Sequence, residues 1–226
     1  MIEKRDFPTM IDAAHALADE LAAALREGIE TWGRGLLAVS GGRTPRHVFE
    51  RLRELEVDWS KVTVTLIDER WVAPDHPESN ELLVRTHLLQ GAAAAAEFVP
   101  LYGGEDTPQT GQAACEARMQ TLQLPFDAVY LGMGDDGHIA SLFPGDPAVE
   151  VRAGRCVAVA PSGSRLPRMS LTAPTLLEAG KVFLLFNGAD KHAKYAAARQ
   201  PGSPAEIPLR LVLAQNRTPV IVLSAP

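Results

Sequence analysis

A chain of 226 residues with 46% hydrophobic and 22% charged side chains has the make-up of an ordinary folded protein and the length for a large core. Its formal charge of −6 argues against a nucleic acid or an anionic membrane as the main partner, although a local cluster of cations can still hold a small anion. Cys115 and Cys156 are the only cysteines, which is no disulfide framework. Residues 1–12 carry Glu3, Lys4, Arg5 and Asp6 and no apolar core of a signal peptide, and no apolar run approaches ~18 residues. A soluble, cytoplasmic chain forming one domain over residues 1–226 is the expectation.

Residues 9–30 repeat apolar side chains at helical spacing, with Ile11, Ala14, Ala18, Leu21 and Leu25 on one face. Residues 36–39 form a short apolar strand that runs into Ser40-Gly41-Gly42-Arg43-Thr44-Pro45. Thr44 is placed as a helix N-cap and Pro45 suits the first helical position; the helix that follows buries Val48, Leu52 and Leu55. A strand over 62–67 ends in Asp68-Glu69-Arg70-Trp71-Val72, read as a loop, and Ser79-Asn80 opens a helix through Leu89. The alanine run at 92–96 carries no assignment, 98–100 is a weak strand, and 108–122 is a helix capped by Thr107. Strands follow at 126–131 and 156–160. Residues 168–172 leave a loop, and 175–179 form a short helix. A buried strand at 182–186 ends at Asn187-Gly188, Asp190 caps a helix through Arg199, and a last strand covers 220–223.

Strands alternating with helices predict an α/β fold of Rossmann-like kind, with a mostly parallel sheet and helices on both faces. Ligands in such folds bind beyond the carboxyl ends of the strands. Four polar or glycine-rich motifs occupy that position here: residues 40–44, 68–70, 132–138 and 187–191.

Three glycines, two carboxylates and a histidine crowd the end of one strand in Gly132-Met133-Gly134-Asp135-Asp136-Gly137-His138. Glycine lets a backbone approach a ligand closely, and histidine is the side chain most readily recruited for proton transfer near neutral pH. His138 is therefore the candidate catalytic group, with Asp135 or Asp136 placed to orient it or simply to cap a turn. The spacing of Gly132, Gly134 and Gly137 also matches a dinucleotide fingerprint. Pro144-Gly145 leaves little room for the helix that fingerprint needs, and no acidic residue ends the next strand. Neither a nucleotide cofactor nor a metal is expected, since no second histidine stands at ligand spacing. Ser141 lies three residues after His138, but a nucleophilic serine would need a G-x-S-x-G elbow, which is absent. Residues 40–44 join a strand to a helix N-terminus, where unpaired N–H groups favour a phosphate as readily as they simply form a tight turn. Arg70, Arg168 and Lys191 are further anion-binding candidates.

These motifs resemble the 6-phosphogluconolactonase/glucosamine-6-phosphate deaminase family. The resemblance spans residues 40–191 and is carried by Ser40 to Pro45, Asp68 to Val72, Ser79-Asn80, Gly132 to Gly145, Pro167 to Thr172, and Gly188 to Lys191. Related deaminases continue the Asp-Gly-His triplet toward Phe-Asn-Glu-Pro-Gly, whereas this chain reads Ser141-Leu142-Phe143-Pro144-Gly145, which favours the lactonases. Arg43 stands where a small hydroxyl residue is common, Asp135 where proline is common, and Ile139 where threonine is common. The resemblance implies a fold shared with sugar-phosphate isomerases and deaminases, and hydrolysis of 6-phospho-D-glucono-1,5-lactone in the oxidative pentose phosphate pathway without a cofactor. His138 would act as general base and then acid, with Asp136 and Arg70 completing the catalytic set; Asp135 drops out as incidental. Ser40, Gly41, Gly42, Arg43, Thr44, Arg168 and Lys191 would bind substrate. Which cation meets phosphate and which meets the lactone carbonyl stays open. A phosphosugar lactone is the expected partner of a monomer or small homo-oligomer. A deaminase or isomerase on the same fold, and a non-catalytic sugar-phosphate sensor, are the alternatives.

Overall fold

The computed structural model describes residues 1–42 and 44–226. In chain order the elements are β1 (Ile2–Asp6), α1 (Met10–Trp32), β2 (Gly35–Val39), α2 (Pro45–Leu52), β3 (Val62–Leu66), β4 (Asp68–Arg70), α3 (Asn80–His87), β5 (Glu97–Val99) and α4 (Pro108–Gln120). They continue with β6 (Phe126–Gly132), β7 (Cys156–Val159), β8 (Arg168–Leu171), α5 (Ala173–Leu177), β9 (Ala179–Asn187), α6 (Ala189–Ala198), α7 (Arg210–Leu213) and β10 (Val220–Ala225).

Seven strands form a wholly parallel sheet in the order β1-β10-β9-β6-β2-β3-β5. Every residue of β2 and of β10 is buried, so the sheet is covered on both faces, as parallel sheets require. The α1 helix supplies much of one cover. Its face of Ala14, Leu17, Ala18, Leu21 and Leu25 is fully buried, and the helix lies against β2, β6, β9 and β10. Truncating one such leucine to alanine typically costs about 2–5 kcal/mol. Thr9 caps this helix by accepting from the Asp12 N–H, and Gly33 ends it in the left-handed conformation with φ of +73°. Among the described residues no helix is long and apolar enough to cross a membrane.

Strand order reverses beside β2: the chain goes outward to β3 and β5, then returns to lay β6 on the other side. That switch point opens a crevice between the loops after β2 and β6.

A second sheet, antiparallel and three-stranded in the order β4-β8-β7, was not expected. Residues 68–70 are thus a short strand rather than a loop. Its register sets Asp68 opposite Ser170 and Arg70 opposite Arg168. The chain passes from β3 into β4 through Ile67, whose N–H still bonds Val39 of the large sheet and whose carbonyl already accepts from Leu171 of the small one. Three smaller expectations also change. Gly188, not Asp190, holds the cap position of α6, and Asp190 sits in its first turn. Thr44 precedes α2 but makes no capping bond with its side chain. The edge strand β1 and the short α7 carry too little periodicity to be seen in the sequence.

Candidate active site

All four strand-end motifs meet in one cleft of about 230 Å³, a little below the ~300–1,000 Å³ usual for ligand pockets. Ser40, Gly41, Gly42 and Thr44 line it from the end of β2, and Gly132, Gly134 and His138 from the end of β6. Lys191 enters from the first turn of α6, and Asp68, Arg70 and Arg168 from the small sheet. Arg43 lies outside the described residues. Three cations against one carboxylate make this wall electropositive in a protein whose net charge is −6, a local field suited to an anion.

His138 sits in a loop closed by two backbone bonds, from Gly134 N–H to the His138 carbonyl and from Gly137 N–H to the Gly134 carbonyl. Gly137 has φ of +87°, a conformation that side chains rarely adopt. Gly134 is needed for space: a Cβ there would lie 2.1 Å from the imidazole ring. The Asp136 carboxylate accepts from the His138 N–H at 3.0 Å and meets Nδ1 of the same ring at 2.7 Å. That side-chain bond holds the Asp136 pKa down at about 2, so the carboxylate is ionised near neutrality. An ionised acceptor on Nδ1 selects the tautomer with its proton there and leaves Nε2 as the basic nitrogen. Among the described residues Nε2 has no protein hydrogen-bond partner. On the ring's flank Phe143 packs at 4.5 Å between centroids.

The two acids of the loop therefore part company. Asp136 meets the imidazole. The Asp135 carboxylate instead lies 3.8 Å from Nζ of Lys191, with its side chain 85% exposed, a solvent-screened pair.

On the opposite wall the charges of Asp68, Glu69 and Arg70 are partnered outside their own run. Asp68 pairs with Arg168 at 3.3 Å and accepts from the Ser141 hydroxyl at 2.5 Å. Arg70 donates through Nη1 to the Glu78 carbonyl at 2.6 Å. The Nε atoms of Arg70 and Arg168 are buried with no protein partner among the described residues. Burial, together with the like charges of Arg70 and Arg165, lowers the Arg168 pKa against the pull of Asp68. Glu69 points away from the cleft and is 1% exposed. Its carboxylate accepts from the N–H groups of Arg70 at 2.7 Å and of Asn80 and Glu81 at 2.8 Å, and from the Ser79 hydroxyl at 3.0 Å. It thereby satisfies the open N-terminus of α3. Burial raises its pKa from an ordinary 4.5 to about 7 although all four donors pull the other way. Asn80, so fixed, donates to the Asp68 carbonyl at 2.8 Å and packs on Gly41, where a Cβ would lie 1.8 Å from its side-chain oxygen.

The model of the family of glucosamine-6-phosphate isomerases and 6-phosphogluconolactonase matches residues 8–221. The chain belongs to this family. A 6-phosphogluconolactonase of Rhizobium meliloti is 41% identical over 94% of this chain and 94% of its own length. One from Pseudomonas aeruginosa is 41% identical over 89% of this chain and 87% of its own. The crystal structure of a 6-phosphogluconolactonase from Shewanella baltica superposes with a TM-score of 0.97 at 36% identity, covering 100% of this chain and 98% of that one. The family's α/β fold is thus present throughout.

Within this family member, sequence reasoning missed three contributors. Asn80, a helix start within a family motif and no site candidate in the sequence, lines the cleft. Asp68, expected in a loop and not among the site candidates, is buried beneath Arg168. The segment after α6 went unassigned, yet it props the histidine loop: Leu209 N–H bonds the Gly137 carbonyl, Gly145 N–H bonds the Ala205 carbonyl, and Ile207 packs where a Gly137 Cβ would go. Only the run Asp68-Glu69 in front of Arg70, too acidic for an apolar strand end, signalled any of this. Among the described residues no group of three or more His, Cys, Asp or Glu side chains is arranged to hold a metal ion.

Proposed function

We propose that this chain hydrolyses 6-phospho-D-glucono-1,5-lactone to 6-phosphogluconate, with His138 as its general base. The observation that carries the reading is the Asp136–His138 pair, which fixes the imidazole in a cleft lined by three cations. Nε2 of His138 takes a proton from water as the water's oxygen attacks the lactone carbonyl. The same nitrogen then returns the proton to the ring oxygen as the carbon–oxygen bond of the ester breaks. Negative charge that builds on the carbonyl oxygen in between falls to Arg70 or to N–H groups of the glycine loop. The phosphate is a handle. It engages residues 40–44 at the start of α2, together with Arg168 and Lys191, and so fixes the carbonyl at the base. Ser141 is not the nucleophile on this reading, since its fully buried hydroxyl is committed to Asp68.

That the relatives are 6-phosphogluconolactonases supports the substrate, and the net charge and the two free cysteines support a cytoplasmic location without nucleic-acid or membrane partners. One domain, acting as a monomer or small homo-oligomer, completes the reading. The test is turnover of freshly generated lactone by the purified protein, corrected for spontaneous hydrolysis. Catalysed opening is expected; release of ammonia from glucosamine 6-phosphate in its place would overturn the reading in favour of a deaminase.

A further inference from the structure

Two groups that the reaction must hold at a fixed separation come from different sheets. His138 belongs to the loop after β6, and Arg168 begins β8 of the small sheet. The only covalent path between them runs through residues 139–167. A shorter path exists through space. The Ser141 side chain is 0% exposed, and its hydroxyl donates to the Asp68 carboxylate at 2.5 Å. The same carboxylate oxygen accepts from Nη1 of Arg168 at 3.3 Å, and Arg168 also lies 3.5 Å from the Ser141 hydroxyl. The Ser141 backbone N–H bonds the Ser170 hydroxyl of β8 at 3.2 Å. Serine is thus tied to the small sheet by both its side chain and its backbone.

The residue between the histidine loop and this anchor is Ala140, with φ of +47°. A left-handed backbone is unfavourable for a residue with a Cβ and persists only where its surroundings impose it. The two bonds of Ser141 are such an imposition, applied three residues from the catalytic ring.

We propose that Ser141 is a positioning residue, whose hydroxyl joins the His138 loop to Arg168 through Asp68 and thereby sets the distance from general base to anion-binding arginine. The inference rests on the lactonase reading above. Its effect falls mainly on the chemical step: the base drifts from the carbonyl when the tie is cut, while Arg168 keeps its pairing with Asp68 and with it most of its grip on the phosphate.

The test is Ser141→Ala, with steady-state kinetics, thermal unfolding and a His138→Ala control measured alongside. The expected result is a fall in kcat of about tenfold, a tenth of what a misplacement of about 1 Å can cost, with KM within twofold of the parent. Ser170→Ala, which cuts only the backbone tie, is expected to lower kcat about threefold, and Ser141→Thr, which keeps the hydroxyl, to restore most of the rate. These two variants also decide the matter if Ser141→Ala fails to fold. An unchanged kcat per folded molecule, with only the melting temperature lowered, would show a purely structural serine and overturn the proposal. Abolished turnover in folded Ser141→Ala would overturn it as well, by making serine the nucleophile. Loss of the lactonase reading looks different: the parent and His138→Ala would then turn over lactone equally.

Discussion

The two sheets of this protein carry charge in opposite ways. The seven-stranded sheet is apolar through its core and presents function only at strand ends, through glycine loops, helix N-termini and one histidine. The three-stranded sheet is barely a sheet at all, yet it buries Asp68 and Glu69 and holds Arg70 and Arg168 beside the cleft. The large sheet therefore supplies position, and the small one supplies a dense set of coupled charges. Position tolerates no added bulk, as at Gly134. Charge tolerates no missing partner, as at Asp68.

That contrast predicts where substitutions act. The largest effect belongs to the large sheet: His138→Ala should lower kcat by ~10²–10⁴-fold while leaving urea unfolding nearly unchanged. A comparable loss of stability would show that the loop is structural instead. On the small sheet, Arg168→Met should do the reverse in kind, leaving Asp68 buried and unpaired at a cost of about 3 kcal/mol in unfolding free energy, with KM raised. Adding Asp68→Asn should recover part of that stability. If Arg168→Met were as stable as the parent, the charges of this sheet would be independent of one another.

Glu69 sharpens the same point through pH. Its folded-state pKa of about 7 lies above its ordinary 4.5, so its contribution is fully present below pH 4.5 and is lost as pH rises through 7. The loss, on the order of 3 kcal/mol, should appear in unfolding curves taken across that window and be absent from Glu69→Gln. Asp136 titrates the other way: its lowered pKa contributes stability above the ordinary 3.8 that disappears as pH falls through about 2, outside the Glu69 window. The smallest effect is at the exposed pair. Lys191→Ala should raise KM about tenfold, and Asp135→Asn, which frees Lys191, should lower it no more than about threefold. An equal KM in both would remove Lys191 from the phosphate site.

Legibility in the sequence follows the same divide. The large sheet could be read because its strands are apolar runs bounded by glycine and its helices repeat at 3.6 residues, as from Ala14 to Leu25. His138 could be read because glycine density at a strand end is rare and physically purposeful. The small sheet could not, since β4 has three residues, all charged, and is a strand only because β8 offers it a ladder. Asn80 looked like a helix start because its value lies in contacts with Gly41 and Asp68, far away in the chain. The prop at 203–209 was hidden for the same reason: its bonds to the histidine loop are made by backbone groups, which leave no mark in residue type.

One feature of the large sheet also orders events in time. The first strand of the chain, β1, pairs with nothing but β10, the last, along its full five-residue register. As the ribosome delivers these residues in order, β1 waits unpaired until β10 has emerged. The prop on the histidine loop is made from residues 203–209, which also arrive after every residue lining the cleft. Propping of the histidine loop and closure of the sheet edge thus both come after residue 200, and a nascent chain stalled near residue 195 would hold every residue that lines the cleft without that support.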